Sequence, residues 1–209
     1  MPIGPRNAGR HLLLAHGAGA STASPFLVAL AQALADQGIT VWPFDFAYMR
    51  SARTTGKRRP PPKIPLLEVE YRVALEVVRQ VIPPDAILVA GGKSMGGRIA
   101  TLVAADASHD GLIHGVVAFG YPFHRPGKPE TARTAHLAAL ATPLLIVQGS
   151  RDPFGDRDDV AGYTLSPGIT MSWIEGGDHD LGWRPGRPLT IFDTVARNVT
   201  TFIDAIPAT

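Results

Sequence analysis

Between Ile87 and Ala100 the chain reads Ile-Leu-Val-Ala-Gly-Gly-Lys-Ser-Met-Gly-Gly-Arg-Ile-Ala. A short apolar run ends in a burst of glycine, one serine sits among the glycines, and a helical apolar spacing (Ile99, Leu102, Val103) follows at once. This reads as a buried strand passing almost without a loop into a helix. So tight a turn excludes Cβ atoms close to its backbone, which gives the glycines a mechanical reason. Gly92-Lys93-Ser94-Met95-Gly96 satisfies G-x-S-x-G, in which the serine occupies a strained strand-to-helix turn with its hydroxyl exposed above a sheet.

Two other glycine patterns fail on inspection. Gly92-Lys93-Ser94 ends like a phosphate-binding loop, but Ile87 stands where that loop needs its first glycine. Gly17-Ala18-Gly19 begins like a dinucleotide fingerprint, but Thr22 stands in the place of the third glycine.

The rest of the chain supplies a sheet for this turn. Strand-like runs occur at His11 to Ala15, Ile39 to Phe44, Ala86 to Ala90, Gly115 to Phe119, Leu144 to Val147 and Ile169 to Ile174. They are continuous and apolar rather than alternating, so both faces should be covered. Helical patterns lie between them. One runs from about Ser24, as N-cap, to Gln37, with Pro25 in its first turn and Gly38 as its stop. Others run over Pro65 to Val81, from Ser94 to about Ala107, over Thr131 to Ala141, within Asp156 to Leu165, and over Ile191 to Ile203. The alternation predicts a three-layer α/β/α sandwich, a six-stranded and mostly parallel sheet forming a single domain over residues 1–209. A chain of 209 residues is long enough to bury a core of that kind.

In such sheets ligands bind outside the carboxyl ends of the strands. The polar residues found there are His16 and Gly17, Asp45, Ser94, Tyr121, Asp152 and His179, in strand order. A serine hydroxyl needs a base to become a nucleophile. Of the seven histidines only His179 lies beyond the fifth strand, which is where the order Ser, Asp/Glu, His puts the base. An acid must orient the imidazole. Asp152 follows the fifth strand directly, in a turn pre-set by Pro153. Asp156, Asp158 and Asp159 lie too far along, and Asp178 is adjacent to His179, where side chains diverge. A developing oxyanion needs preorganised donors, here the N–H of Met95 and one from the turn after the first strand, Ala18 or Gly17. His16 can be read as a catalytic base, but its expected role is to brace that turn by hydrogen bonding.

Charge is unevenly placed. The formal net charge is +2, yet Arg50, Arg53, Lys57, Arg58, Arg59 and Lys63 lie together with no acid among them. The segment from Asp45 through Pro60-Pro61-Pro62 is expected to be a long loop on the side of the sheet that carries Ser94. Arg50 and Arg53, with Tyr121, are candidates for binding substrate; the bland alternative is a solvated loop, and a further one is that Arg50 or Arg53 folds back to pair with acids near the site. No aromatic residue is interleaved from Arg50 to Lys63, which disfavours nucleic acid as a partner. There is no cysteine, no apolar run of membrane-spanning length and no apolar signal core near Met1. These point to a cytoplasmic protein. No cofactor or metal is expected, since consecutive Asp178, His179 and Asp180 cannot readily converge on one ion.

With His16-Gly-Ala-Gly-Ala20, Gly91-Gly-Lys-Ser-Met-Gly-Gly-Arg98, Gly149-Ser-Arg-Asp-Pro-Phe-Gly155 and Gly176-Gly-Asp-His-Asp-Leu181 at four strand ends, the chain resembles the α/β-hydrolase superfamily over nearly its whole length. Pro43 to Met49 and Gly56 to Pro61 resemble a small bacterial branch, akin to dienelactone-hydrolase-like proteins and similar to a hydrolase-like subunit of a histone acetyltransferase complex. The resemblance implies a Ser-His-Asp hydrolase forming an acyl-enzyme from a small acyl substrate. It departs from the superfamily in having no room for two further N-terminal strands and no long lid insertion after the fourth strand. It departs from dienelactone hydrolase in that Ser94, not a cysteine, is the nucleophile. Ester, thioester and amide substrates and the oligomeric state stay open. The rival expectation is a non-catalytic adaptor of the same fold, docking an acidic partner on its basic loop 50–63.

Overall fold

The computed structural model describes residues 1–5, 7–57, 59–106 and 111–207. Arg58 of the basic cluster and Ala107, where the helix after Ser94 was expected to end, lie outside them.

The strands are β1 (Arg10–Ala15), β2 (Thr40–Phe44), β3 (Ile87–Lys93), β4 (Gly115–Phe119), β5 (Leu144–Gly149) and β6 (Ile169–Ile174). They form one sheet in the order β2-β1-β3-β4-β5-β6, and every neighbouring pair is parallel. Pro43, which has no N–H to give, is tolerated because β2 is an edge strand. The α-helices are α1 (Pro25–Asp36), α2 (Ala47–Thr55), α3 (Ile64–Val81), α4 (Met95–Ala104), α5 (Arg157–Ala161) and α6 (Thr190–Asp204).

The core lies in two layers because apolar side chains leave both faces of the strands. On one face Leu12, Leu14, Val89, Val117, Leu145 and Val147 pack with α1 and α6. On the other, Leu13, Leu88, Ala90, Val116 and Ile146 pack with α3 and α4. Helix α1 starts as its sequence dictates, with the Ser24 hydroxyl accepting from the Leu27 N–H and Pro25 as its first residue. Helix α3 is tied to the sheet by a buried tyrosine. The Tyr71 hydroxyl accepts from the Gly91 N–H at 2.7 Å and has the Gly91 and Leu13 carbonyls within 2.9 and 3.1 Å.

Two stretches differ from the sequence-based expectation. The segment after β2 is not a loop throughout, since residues 47–55 form α2. No residue of α2 is buried, so it shows no apolar period to read. Its neighbours hold it: Glu70 accepts from the Ala47 N–H at 2.6 Å, Arg50 donates to the Asp45 carbonyl, and Gly56 closes it in the left-handed conformation. Conversely, Thr131 to Ala141 is not a helix. Only two single 3-10 turns form, at Pro129–Thr131 and Leu137–Ala139. Backbone groups that a helix would use are taken by distant partners: the Arg133 N–H donates to Phe123 O at 2.7 Å, and Arg133 O accepts from the Tyr121 hydroxyl at 2.9 Å.

Candidate active site

The strand order reverses direction between β1 and β3, and this is the switch point where open α/β sheets form their ligand crevice. Ser94 stands there, between β3 and α4, with φ 51° and ψ −115°. Among the described residues only Leu181 is another non-glycine with positive φ. A conformation of this kind costs about 1–3 kcal/mol and persists only where its surroundings enforce it. The enforcement is visible at the glycines. A Cβ on Gly92 would lie 2.5 Å from the Gly96 carbonyl carbon and 2.7 Å from the Gly97 nitrogen. One on Gly96 would lie 2.7 Å from the His16 carbonyl oxygen, so α4 begins hard against the end of β1.

Ser94 Oγ lies 2.9 Å from His179 Nε2, and His179 Nδ1 lies 2.9 and 3.1 Å from the two carboxylate oxygens of Asp152. Asp152 is fully buried, and the His179 side chain is 21 % exposed. The Asp152 carboxylate also accepts from the Phe154 N–H at 2.9 Å and from Gln148 Nε2 at 3.0 Å. The Phe154 ring lies over the imidazole, with centroids 4.3 Å apart. Nδ1 is thus held by the carboxylate, and Nε2 is turned to Ser94.

The loops carrying the acid and the base touch through backbone. The Arg151 N–H donates to Gly177 O at 2.8 Å, and Gly149 has no room for a Cβ against the Gly177 and Asp178 carbonyls. Asp178, the neighbouring acid, is used within its own loop. It accepts from the Asp180 and Gly182 N–H groups at 3.0 and 3.1 Å and pairs with Arg184. The Arg184 hydrogen bond, working against partial burial, holds its carboxyl down to about 2.

His16 braces the turn after β1, as its position suggests. Its Nε2 accepts from the Phe46 N–H at 3.1 Å, so Nδ1 carries the proton and donates to Gly17 O at 2.6 Å. Burial pushes its pKa down, against the Gly17 bond and the nearby Asp45 and Glu70. Gly17 faces the serine: a Cβ on it would stand 3.5 Å from Ser94 Cβ. A cavity of about 440 Å³ opens over these groups. Gly17, Ala18, Ser94 and His179 line it, with apolar walls from Phe26, Leu27, Phe154 and Trp183. The Met95 N–H, first of α4, is among the donors that a helix leaves unpaired at its start.

Three candidate binding residues are not brought to this cavity. Tyr121 is fully buried, with its hydroxyl donated to Arg133 O. It follows β4 directly and is drawn inward by its N–H bond to Gln148 Oε1 at 2.7 Å. Arg50 and Arg53 fold back on Asp45: Arg50 onto its carbonyl, and Arg53 onto Oδ2 at 2.7 Å. Arg53 lines a neighbouring cavity instead. Sequence reasoning missed Gln148 and Lys93. Gln148 is a polar residue inside an otherwise apolar strand, and that was its signal. Lys93 lies between Gly92 and Ser94, 7 % exposed.

Residues 8–206 match the model of the alpha/beta hydrolase domain family, and the chain belongs to that family. Among solved structures it is similar to dienelactone hydrolase from Anabaena variabilis, at 23 % identity and TM-score 0.70, over 98 % of this chain and 90 % of that one. A serine hydrolase of this fold without a lid, from Xanthomonas campestris, is 19 % identical with TM-score 0.70, over 100 % and 89 %. Est1E from Butyrivibrio proteoclasticus, solved with ferulic acid bound, is 13 % identical with TM-score 0.72, over 98 % and 94 %. At these identities the likeness concerns the fold. Family membership defines this chain as hydrolase-like. Among the described residues no helix is long and apolar enough to cross a membrane.

Proposed function

We propose that this protein is a serine hydrolase that cleaves an ester or thioester of a small acyl substrate through an acyl-enzyme. The observation that carries the reading is the unbroken hydrogen-bonded series from Ser94 Oγ through both ring nitrogens of His179 to Asp152. Ser94 attacks the carbonyl carbon while His179 Nε2 takes its proton. Asp152, buried and held by Gln148 and Phe154, keeps the proton of the neutral ring on Nδ1 and stabilises the imidazolium that forms. The N–H groups of Met95 and of Ala18, or of Gly17 beside it, receive the oxyanion. His179 then protonates the leaving group, and water attacks the acyl-enzyme by the reverse relay. The walls formed by Phe26, Leu27, Phe154 and Trp183 suit an apolar acyl group.

The test is intact-mass labelling with a fluorophosphonate on the wild type and on Ser94→Ala. One adduct on the wild type and none on the variant is the expected result. A folded wild type that takes no adduct would overturn the reading and favour an adaptor that binds through its basic segment.

A further inference from the structure

The residue before Ser94 in the chain meets the residue after His179 in space. Lys93 Nζ lies 3.3 Å from Asp180 Oδ1. The two ends of this pair sit in different environments: Lys93 is buried, whereas the Asp180 side chain is 55 % exposed. Burying an ammonium is costly unless it is paired, and here burial pushes the pKa down while Asp180, Asp152 and Asp178 oppose the shift. The ammonium also stands 5.5 Å from the centre of the Phe26 ring. A methionine would fill the same space without that desolvation, so packing alone gives no reason for a lysine here.

Topology supplies a reason. Ser94 follows β3 and His179 follows β6, with β4 and β5 between them, so no sheet hydrogen bond joins the two segments. Among the described residues, two polar contacts connect the turn at Ser94 with the loop at His179. One is the Ser94–His179 hydrogen bond, and the other is the Lys93–Asp180 pair. The end of β4 is shaped around both. Gly120 has φ +62°, and a Cβ on it would come 2.8 Å from His179 O and 3.3 Å from both His179 Nδ1 and Lys93 Nζ.

We infer that Lys93 is a positioning residue: through Asp180 it holds the His179 loop over Ser94. This rests on Ser94 and His179 acting as nucleophile and base. The tests are the rate of fluorophosphonate labelling and the steady-state hydrolysis of a short-chain p-nitrophenyl ester. Misplacing a reacting group by about 1 Å costs on the order of 100-fold in rate. Lys93→Met and Asp180→Asn should each slow labelling by roughly 10-fold or more, with the loss in kcat and KM within about twofold. Lys93→Arg, which keeps the charge, should recover part of the rate. The double variant should be no slower than the slower single, because both changes remove one contact. Asp180 is half exposed, so Asp180→Asn carries the test even if Lys93→Met does not fold. Wild-type rates in both single variants, penalties that multiply in the double variant, or a loss confined to KM would each overturn the inference. A wild type that is never labelled counts against the hydrolase reading itself and is seen before any variant is made.

Discussion

Gln148 donates from Nε2 to Oδ2 of Asp152 at 3.0 Å, and both side chains are fully buried. The same amide lies 3.0 Å from Gly155 O and 3.2 Å from Tyr121 O, and its Oε1 accepts from the Tyr121 N–H at 2.7 Å. One side chain thus ties the end of β4, the turn after β5 and the carboxylate facing His179. Gln148→Leu leaves these groups buried without their partner. The expected outcome is a loss of roughly 2–4 kcal/mol in urea unfolding and slower labelling of Ser94. Wild-type labelling by a folded Gln148→Leu protein would show that Asp152 is oriented without it.

Tyr71 carries no proposed chemistry, yet its hydroxyl enters the central strand. Tyr71→Phe removes the acceptor of the Gly91 N–H in a fully buried place. Stability should fall by about 1–3 kcal/mol while the labelling rate stays within about twofold. Urea midpoints and a labelling time course read the two effects separately.

The glycines at the elbow differ in kind from those in open loops. Gly92→Ala puts a methyl group against the backbone of Gly96 and Gly97, which cannot yield without moving α4. The expected outcome is insoluble protein or a loss above roughly 3 kcal/mol. Gly19→Ala meets nothing within 4 Å and should change stability by less than about 0.5 kcal/mol. Thermal melts of the two variants make the comparison.

Acid should weaken the fold in two stages. Burial, with Arg98 nearby, lowers His136 from 6.5 to about 4. A depressed folded pKa means stability fully present above pH 6.5 and lost as pH falls through about 4, because the unfolded chain takes up the proton first. Asp178, held at about 2 chiefly by Arg184, adds a second loss between about pH 3.8 and 2. The Arg184 pair is largely solvent-screened, so that second stage should be below about 1 kcal/mol. Asp178→Asn should shrink the second stage of the urea-midpoint profile and His136→Gln the first, where His16, also depressed by burial, keeps part of the loss.

The sheet and the serine turn are legible in the sequence because each has a local cause. A strand covered on both faces must be apolar at every position, and a turn without room for Cβ atoms must be glycine. Chain order likewise separates His179 from the other histidines, and the turn after β5 singles out Asp152. The surroundings of the site are not legible, because their causes are distant in sequence. Helix α2 has no fully buried residue, with half-buried Tyr48 against His16 and Phe46, and is held by Glu70 and Asp45. Tyr121 turns inward because Gln148 and Arg133 claim it, and the basic side chains Arg50 and Arg53 turn back to Asp45. Periodicity and small-residue requirements act through neighbours in the chain, so the sequence by itself determined the sheet, the elbow and the candidate nucleophile, base and acid. Hydrogen bonds and ion pairs form with whatever the fold brings near. Only the tertiary structure therefore decided which polar side chains border the cavity, as Lys93 does, and which, like Gln148, stand behind it.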